Sequence, residues 1–359
     1  MKPTLYRDAS KVDAIEYEII IDLGMLNTKI GTSNEQIPFK IVPTPPNIFL
    51  NDKFFKEENL KIYNNYTNEL FLKITEFFYD IFFKELLYSP KGFEVVIGIN
   101  LFIPNHYLLC IERSLIEKFE AKAVYFVPTQ FSPIYMSNHE SGIILDFGFS
   151  NITIVPFYKG FPLKNFIKTT RKSGIYFFKR LYKSACKINP KFEDIVFEDQ
   201  LDLLNKLSVE YMSFNTCKEV SIIENNQTEA EIKKMRHKIL KMIHEKANVY
   251  INYLENYRVC ETLFNDSNNI VIDILDALVE IPSSLRDFLV NNIIIVGGFC
   301  LYNKFMKRLK DELNNYVRTN QYYKNQFSDY FTTNFCFTTH EYPTNLLNWA
   351  GCKLISIRV

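Results

Sequence analysis

The sequence lacks any apolar run of the roughly 18–20 residues that a membrane-spanning helix requires. It also lacks net charge. Its 42 Lys and Arg stand against 41 Asp and Glu, for a balance of +1. No overall field therefore draws it to nucleic acid or to an acidic membrane. It has neither a CxxC pair nor the Cys and His spacing of a zinc site. The seven cysteines are scattered and read as reduced core thiols. The opening residues, MKPTLYRDASKVDAIEYE, are too polar for a signal peptide. These absences set the expectation of a cytoplasmic protein without membrane insertion, without nucleic acid and without a metal site of its own.

What is present is a chain of 359 residues, enough for two sizeable lobes. Hydrophobic residues make up 47% and aromatics 15%, which argues for a packed core rather than disorder. One stretch organises the rest. Ile143-Ile144-Leu145 is an apolar run that ends at Asp146. Gly148 and Ser150 lie in the turn beyond it, and Ile152-Thr153-Ile154-Val155 is a second β-branched run. The pattern reads as a hairpin. A carboxylate at a strand end followed by a glycine lets backbone N–H groups approach an anion. Taken alone, it is equally an ordinary hairpin with a polar turn.

The same design occurs near the start, where Ile19-Ile20-Ile21 leads to Asp22-Leu23-Gly24 and a second run through Lys29 to Gly31. Two copies suggest two related halves. Lys29 adds a positive charge suited to phosphate. A third stretch, Ile293 to Gly298, is a buried-type strand closing on two glycines, where a backbone without Cβ atoms can lie against a flat ligand.

Between these marks the pattern alternates. Helices are expected over 68–87, 104–119, 174–184, 198–214, 273–279, 283–290 and 302–317, and strands over 17–43, 94–101 and 124–127. A mostly parallel sheet covered by helices follows from that alternation. A polar tail is expected over 1–16, a surface loop over 222–227 and a long charged helix over 228–256. In that helix Lys233, Lys234, Arg236 and Lys238 read as a solvated face balanced by glutamates. An aromatic, polar surface excursion is expected over 321–331.

The three glycine-containing stretches, in this order and at these separations, resemble the actin fold shared by actin, Hsp70 and sugar kinases. The run GTSNEQIPFKIVP from Gly31 and Trp349-Ala350-Gly351 near the end are similar to actin text. The resemblance implies an α/β fold of two related lobes, each with a mixed, largely parallel sheet flanked by helices around a nucleotide cleft. The lobes would run over 17–145 and 146–330, with 331–359 returning to the first. The implied nucleotide contacts are Asp22, Gly24, Lys29, Asp146, Gly148, Gly297, Gly298 and Tyr302, and the implied ligand is ATP or ADP with Mg.

The resemblance also shows losses. Met25 and Leu26 stand where actin has Ser and Gly, Phe147 replaces a Ser, Phe149 an Asp and Thr153 a His. At the catalytic Gln the register set by Tyr135 gives Thr129, with Gln130 beside it. Leu204, Asn205 and Asn345 fall at the adenine-pocket positions. No catalytic residue is assigned, and static nucleotide binding without turnover is the expectation.

The segment from Pro43 to Phe82 is much shorter than actin's, and the chain stops soon after Trp349. Reduction of the second subdomain, with the runs at 76–107, 118–130, 145–165 and 276–298, is similar to the actin-related family that caps the pointed end of the dynactin filament. That resemblance implies a cytoskeletal structural subunit. Its partners would be actin-like filament subunits, pointed-end adaptor proteins and, indirectly, dynein. The filament contacts would include Tyr158, Phe161, Pro282 and Arg286. The alternatives are another divergent actin-related protein, such as a chromatin-remodelling subunit, and a sugar or acetate kinase, for which no catalytic Asp stands out.

Overall fold

The computed structural model describes residues 17–50, 67–137, 139–170, 172–211, 214, 239–243, 248–265, 269–327 and 335–356. The first lobe contains β1 (Ile19–Leu23), β2 (Asn27–Thr32), β3 (Lys40–Pro43), α1 (Pro46–Phe49), α2 (Asn68–Tyr79), β4 (Glu94–Ile99), α3 (Asn105–Arg113) and β5 (Ala123–Pro128). The second contains β6 (Gly142–Phe147), β7 (Ile152–Tyr158), β8 (Phe161–Pro162), β9 (Lys168–Thr170), α4 (Gly174–Ile188), α5 (Phe197–Tyr211), β10 (Ile239–Ile243), β11 (Asn248–Asn252), α6 (Tyr253–Glu261), α7 (Ile270–Val279), α8 (Ser283–Val290), β12 (Ile293–Gly297), α9 (Phe305–Thr319) and α10 (Gln321–Gln326). The last helix, α11 (Leu347–Ser356), goes back to the first lobe.

The sheets repeat one plan. The first runs β3-β2-β1-β4-β5, with β1 antiparallel to β2 and parallel to β4. The second runs β12-β6-β7-β8, with β9 also on β7; β6 is antiparallel to β7 and parallel to β12. Among the strands of the described residues, parallel pairing joins β1-β4-β5 and β6-β12, so the sheets are more evenly mixed than the alternation of elements implied. The remainder is antiparallel hairpin.

Both faces of each sheet are covered, which explains continuous apolar runs in place of alternation. In the first sheet Ile19 and Ile21 pack with Leu70, Ile74 and Phe78 of α2 and with Tyr107 and Ile111 of α3. Ile20 and Val96 face Trp349 of α11. Trp349 is fully buried and donates its indole N–H to the Ile20 carbonyl at 3.1 Å. Gly351 lets α11 lie on the turn at Ser132, because a Cβ there would sit 2.2 Å from the Ser132 carbonyl oxygen. Leu347 instead joins Ile144 and Val296 of the second sheet, so α11 is shared by both lobes.

Two expectations are corrected. Where described, the long charged helix over 228–256 is a hairpin of β10 and β11 followed by the start of α6. The excursion over 321–331 contains α10, and its Tyr323 and the Phe327 that follows it are buried. The expected tail over 1–16, the loop over 222–227 and the four basic residues between 233 and 238 lie outside the described residues.

Candidate functional site

The two Asp hairpins occupy equivalent positions in the two sheets. Asp22 faces Lys29 across β1 and β2, and Asp146 faces Thr153 across β6 and β7. Both carboxylates are buried, at 4% and 5% exposure. A buried carboxylate is costly unless it is paired or hydrogen-bonded. Asp22 is paired, since Lys29 Nζ donates to its Oδ2 at 2.5 Å. Asp146 accepts at Oδ2 from Gln130 Nε2 at 3.0 Å. Gln130 is held in turn by the Leu101 N–H, which donates to its Oε1 at 2.8 Å. Burial, then the nearby charge of Asp22, pushes the Asp146 carboxyl up to about 6, against the smaller opposing effects of Gln130 and Lys29.

Of the neighbours Thr129 and Gln130, it is Gln130 whose side chain reaches Asp146. Thr129 turns along the sheet and donates its hydroxyl to the Ile99 carbonyl at 3.2 Å. The turn of the second hairpin is also tied down. Asn100 Nδ2, at the end of β4, donates to Asn151 Oδ1 at 3.0 Å and so bridges the lobes. Asn151 Nδ2 donates to Thr153 Oγ1 at 3.0 Å, which engages the hydroxyl of Thr153. The N–H groups of Gly174 and Ile175 at the start of α4 donate to the carbonyls of Gly148 and Phe149. Phe147 and Phe149 point into the second lobe, edge-on to Phe305 and Phe178 with centroids 4.9 and 5.0 Å away.

In the first hairpin Gly24 accepts the Thr44 hydroxyl at its carbonyl, 2.7 Å away, and a Cβ at Gly24 would meet the Asn27 oxygen at 2.4 Å. At the glycine loop, Gly297 has φ +101°, and a Cβ would lie 2.4 Å from the Phe147 oxygen, so only glycine closes this strand. Gly298 opens on free space. Tyr302 lies on the buried side of that loop. It is 7% exposed, its hydroxyl donates to Ser208, and its ring stacks on Phe177 at 5.3 Å within an aromatic cluster that includes Phe214 and Phe299. Leu301, at 45% exposure, is the accessible side chain of that loop.

The structure brings Asp22, Lys29, Asp146 and Gln130 together and adds the uncovered backbone at Gly298. A phosphate anion with a divalent cation fits two converging carboxylates and an ammonium. On the purine side Leu204 is fully buried and Tyr302 faces inward, while Asn205 and Asn345 are partly exposed. Among the described residues, no group of three or more His, Cys, Asp or Glu could hold a metal ion unaided.

The expected filament-contact residues divide. Phe161 is 75% exposed, and Tyr158 meets the half-exposed Phe288 edge-on at 6.3 Å, forming an aromatic surface; Pro282, at the start of the helix that carries Phe288, is exposed. Arg286 does not belong to it. It is buried and donates to the carbonyls of Ile281, Gln326 and Val279, with its guanidinium over the Phe327 ring. It clamps α10 to the turn between α7 and α8.

Comparison with known proteins agrees with the fold. The family model described as Actin matches residues 75–329. Actin-related protein 10 of Dictyostelium discoideum is 24% identical, over 94% of this chain and 82% of that protein. Among the described residues, no helix is long and apolar enough to cross a membrane.

Proposed function

The chain belongs to the actin family, and we propose that within it the chain is a non-catalytic structural subunit that ends a filament of actin-like subunits, as the pointed-end cap of dynactin does. The observation that carries this reading is the short connection between β3 and α2, in the place where actin builds its second subdomain and the loop that enters the next subunit. Head-to-tail contacts propagate without limit unless one face is incompetent. The shortened connection makes the second-subdomain face the incompetent one. The aromatic surface of Tyr158, Phe161 and Phe288 suits the opposite, filament-docking face, because exposed aromatic clusters of this kind mark interaction sites.

The cleft supports static binding of ATP or ADP with Mg at Asp22, Lys29 and Asp146, with Gly298 against the ligand. Such binding would stabilise the subunit rather than drive a cycle. Pointed-end adaptor proteins are the partners for the free face, with dynein an indirect one, and the place of action is the cytoplasmic cytoskeleton. The experiment is a crosslinking map of the native assembly. Crosslinks to filament subunits from residues 158–161 and 281–288 are expected. Isolation of the chain with no actin-like subunit, or filament crosslinks confined to 44–50, would defeat the reading.

A further inference from the structure

Among the described residues the chain crosses between the lobes twice. The first crossing leads from β5 through the turn at Ser132–Met136 to β6, and the second leads from residues beside β12 to α11. The start of the second crossing is tied to the second lobe by its backbone. Ile293 donates its N–H to the Cys336 carbonyl at 2.9 Å, and the Thr338 N–H donates to the Ile293 carbonyl at 2.8 Å. Farther on, Tyr342 packs both on the cluster of Ile144 and Val296 and on the cluster of Ile20 and Trp349. Thr339, His340 and Glu341 lie between these anchors. The two crossings meet at an open cavity of about 330 Å³. His139 of the first crossing, Cys336 and His340 of the second, and Asn291 and Asn292 ahead of β12 are in its lining.

His340 is the unsatisfied group here. Its Nε2 is shut off from water and has no hydrogen-bond partner. A proton added to the imidazole would put a charge and a further N–H where no acceptor receives them. The surroundings do not offset that cost. His139 bears on His340 from the other crossing, and Lys310 of α9 lies over the ring of Phe337, also in the lining, at 5.9 Å. The Cys336 thiol is the third titratable group of the cavity. Glu140 and Glu341, each next to one histidine in sequence, are exposed and make no ion pair with His340. Burial first, and the charge of His139 second, hold the His340 imidazole below its ordinary range.

We propose that His139 and His340 form an acid-sensitive latch between the two crossings, in which His340 is seated while neutral and is released to water by proton uptake. A released imidazole takes its proton at the ordinary value of 6.5, and the seated one only at lower pH. The seated state therefore holds fully above that value and loses stability as pH falls below it. His139 adds to the loss as it gains charge and repels its neighbour. Release slackens residues 339–341 between their anchors, so the lobes are tied less tightly in acid. The latch is separate from the filament surface and does not rest on the capping reading.

The test is hydrogen exchange of the full chain by mass spectrometry, corrected for the pH dependence of intrinsic exchange. The readout is local because the Asp146 carboxyl titrates in the same range. Between pH 7.5 and 5.5 the peptide over 336–343 should lose protection about three- to tenfold, well beyond any change in the peptide of β4. His340→Leu should remove that loss. His139→Gln, at an exposed position, should reduce it without removing it, since burial is the larger cause. A second measurement, which needs no His340 variant, is titration of the imidazole Cε1–H signals. One of the five histidines should titrate below the ordinary range and move up in His139→Gln. No loss in the parent, a loss that survives in His340→Leu, an equal loss in β4, or no imidazole that responds to His139→Gln would overturn the proposal.

Discussion

Gln130 of the first lobe donates a hydrogen bond to the buried carboxylate of Asp146 in the second, at 3.0 Å. With the bond from Asn100 to Asn151, it joins the lobes across their facing hairpins by side chains of the chain itself.

The first prediction concerns pH. The Asp146 carboxyl lies at about 6 in the folded chain against an ordinary value of 3.8. Between those values the folded state binds more protons than the unfolded state, so stability falls as pH rises from about 4 to about 6. Asp146→Asn keeps an acceptor for Gln130 and removes the titration. Without ligand at pH 7.5 it should stabilise the protein by up to about 3 kcal/mol, and it should flatten that part of the profile. Urea denaturation at stepped pH measures both effects. A parent profile already flat across that range would defeat the assignment.

The second concerns the buried ion pair. Lys29→Met leaves Asp22 charged and uncompensated in the interior, and the expected loss is about 3 kcal/mol. Adding Asp22→Asn removes the charge as well, and most of the loss should return. If the double variant is no more stable than Lys29→Met, the pair is not what holds the first hairpin.

The third concerns nucleotide. Neither Phe149, packed on Phe178, nor Thr153, whose hydroxyl is engaged by Asn151, is placed to orient an attacking water. Single-turnover assays should show no phosphate release above background, with or without filament subunits. A static ligand would still raise the melting temperature by mass action. ATP·Mg should shift the wild-type midpoint upward and leave the Asp22→Ala and Asp146→Ala variants unmoved. Filament-stimulated phosphate release would contradict the structural role.

Much of this site was legible from the chain because it rests on local patterns. A β-branched run, an Asp, a glycine and a second run specify a hairpin whatever surrounds them, and both hairpins formed. What the sequence did not show came from contacts distant in sequence. The register from Tyr135 gave Thr129 with Gln130 beside it, and only the fold shows that Gln130 is the one to reach Asp146. Tyr302 follows a glycine loop, as a ligand contact would, but Ser208 and Phe177 lie far away in sequence and draw it inward. The stretch 228–256 is rich in charge and was read with helical period, yet Ile239–Ile243 and Asn248–Asn252 pair as strands. There, strand pairing overrode local propensity.

The fourth prediction separates stability from docking at the surface of the second lobe. Arg286 and Phe288 are two positions apart on α8 and point to different environments. Arg286 is buried on three carbonyls, and its replacement by Ala would strand them without a donor. That should cost about 2 kcal/mol or more and should affect filament binding only through lost folding. Phe288 is 56% exposed and Phe161 75%, so Phe288→Ser with Phe161→Ser should hardly change the melting temperature. If these aromatics form the filament contact, the double variant should bind filament ends at least about tenfold more weakly, as loss of buried aromatic anchors does. Sedimentation with actin-like filaments, alongside thermal melts of the same preparations, measures the two effects independently. Full end-binding by the folded double variant would place the contact elsewhere on the chain and remove the polarity assigned to the cap.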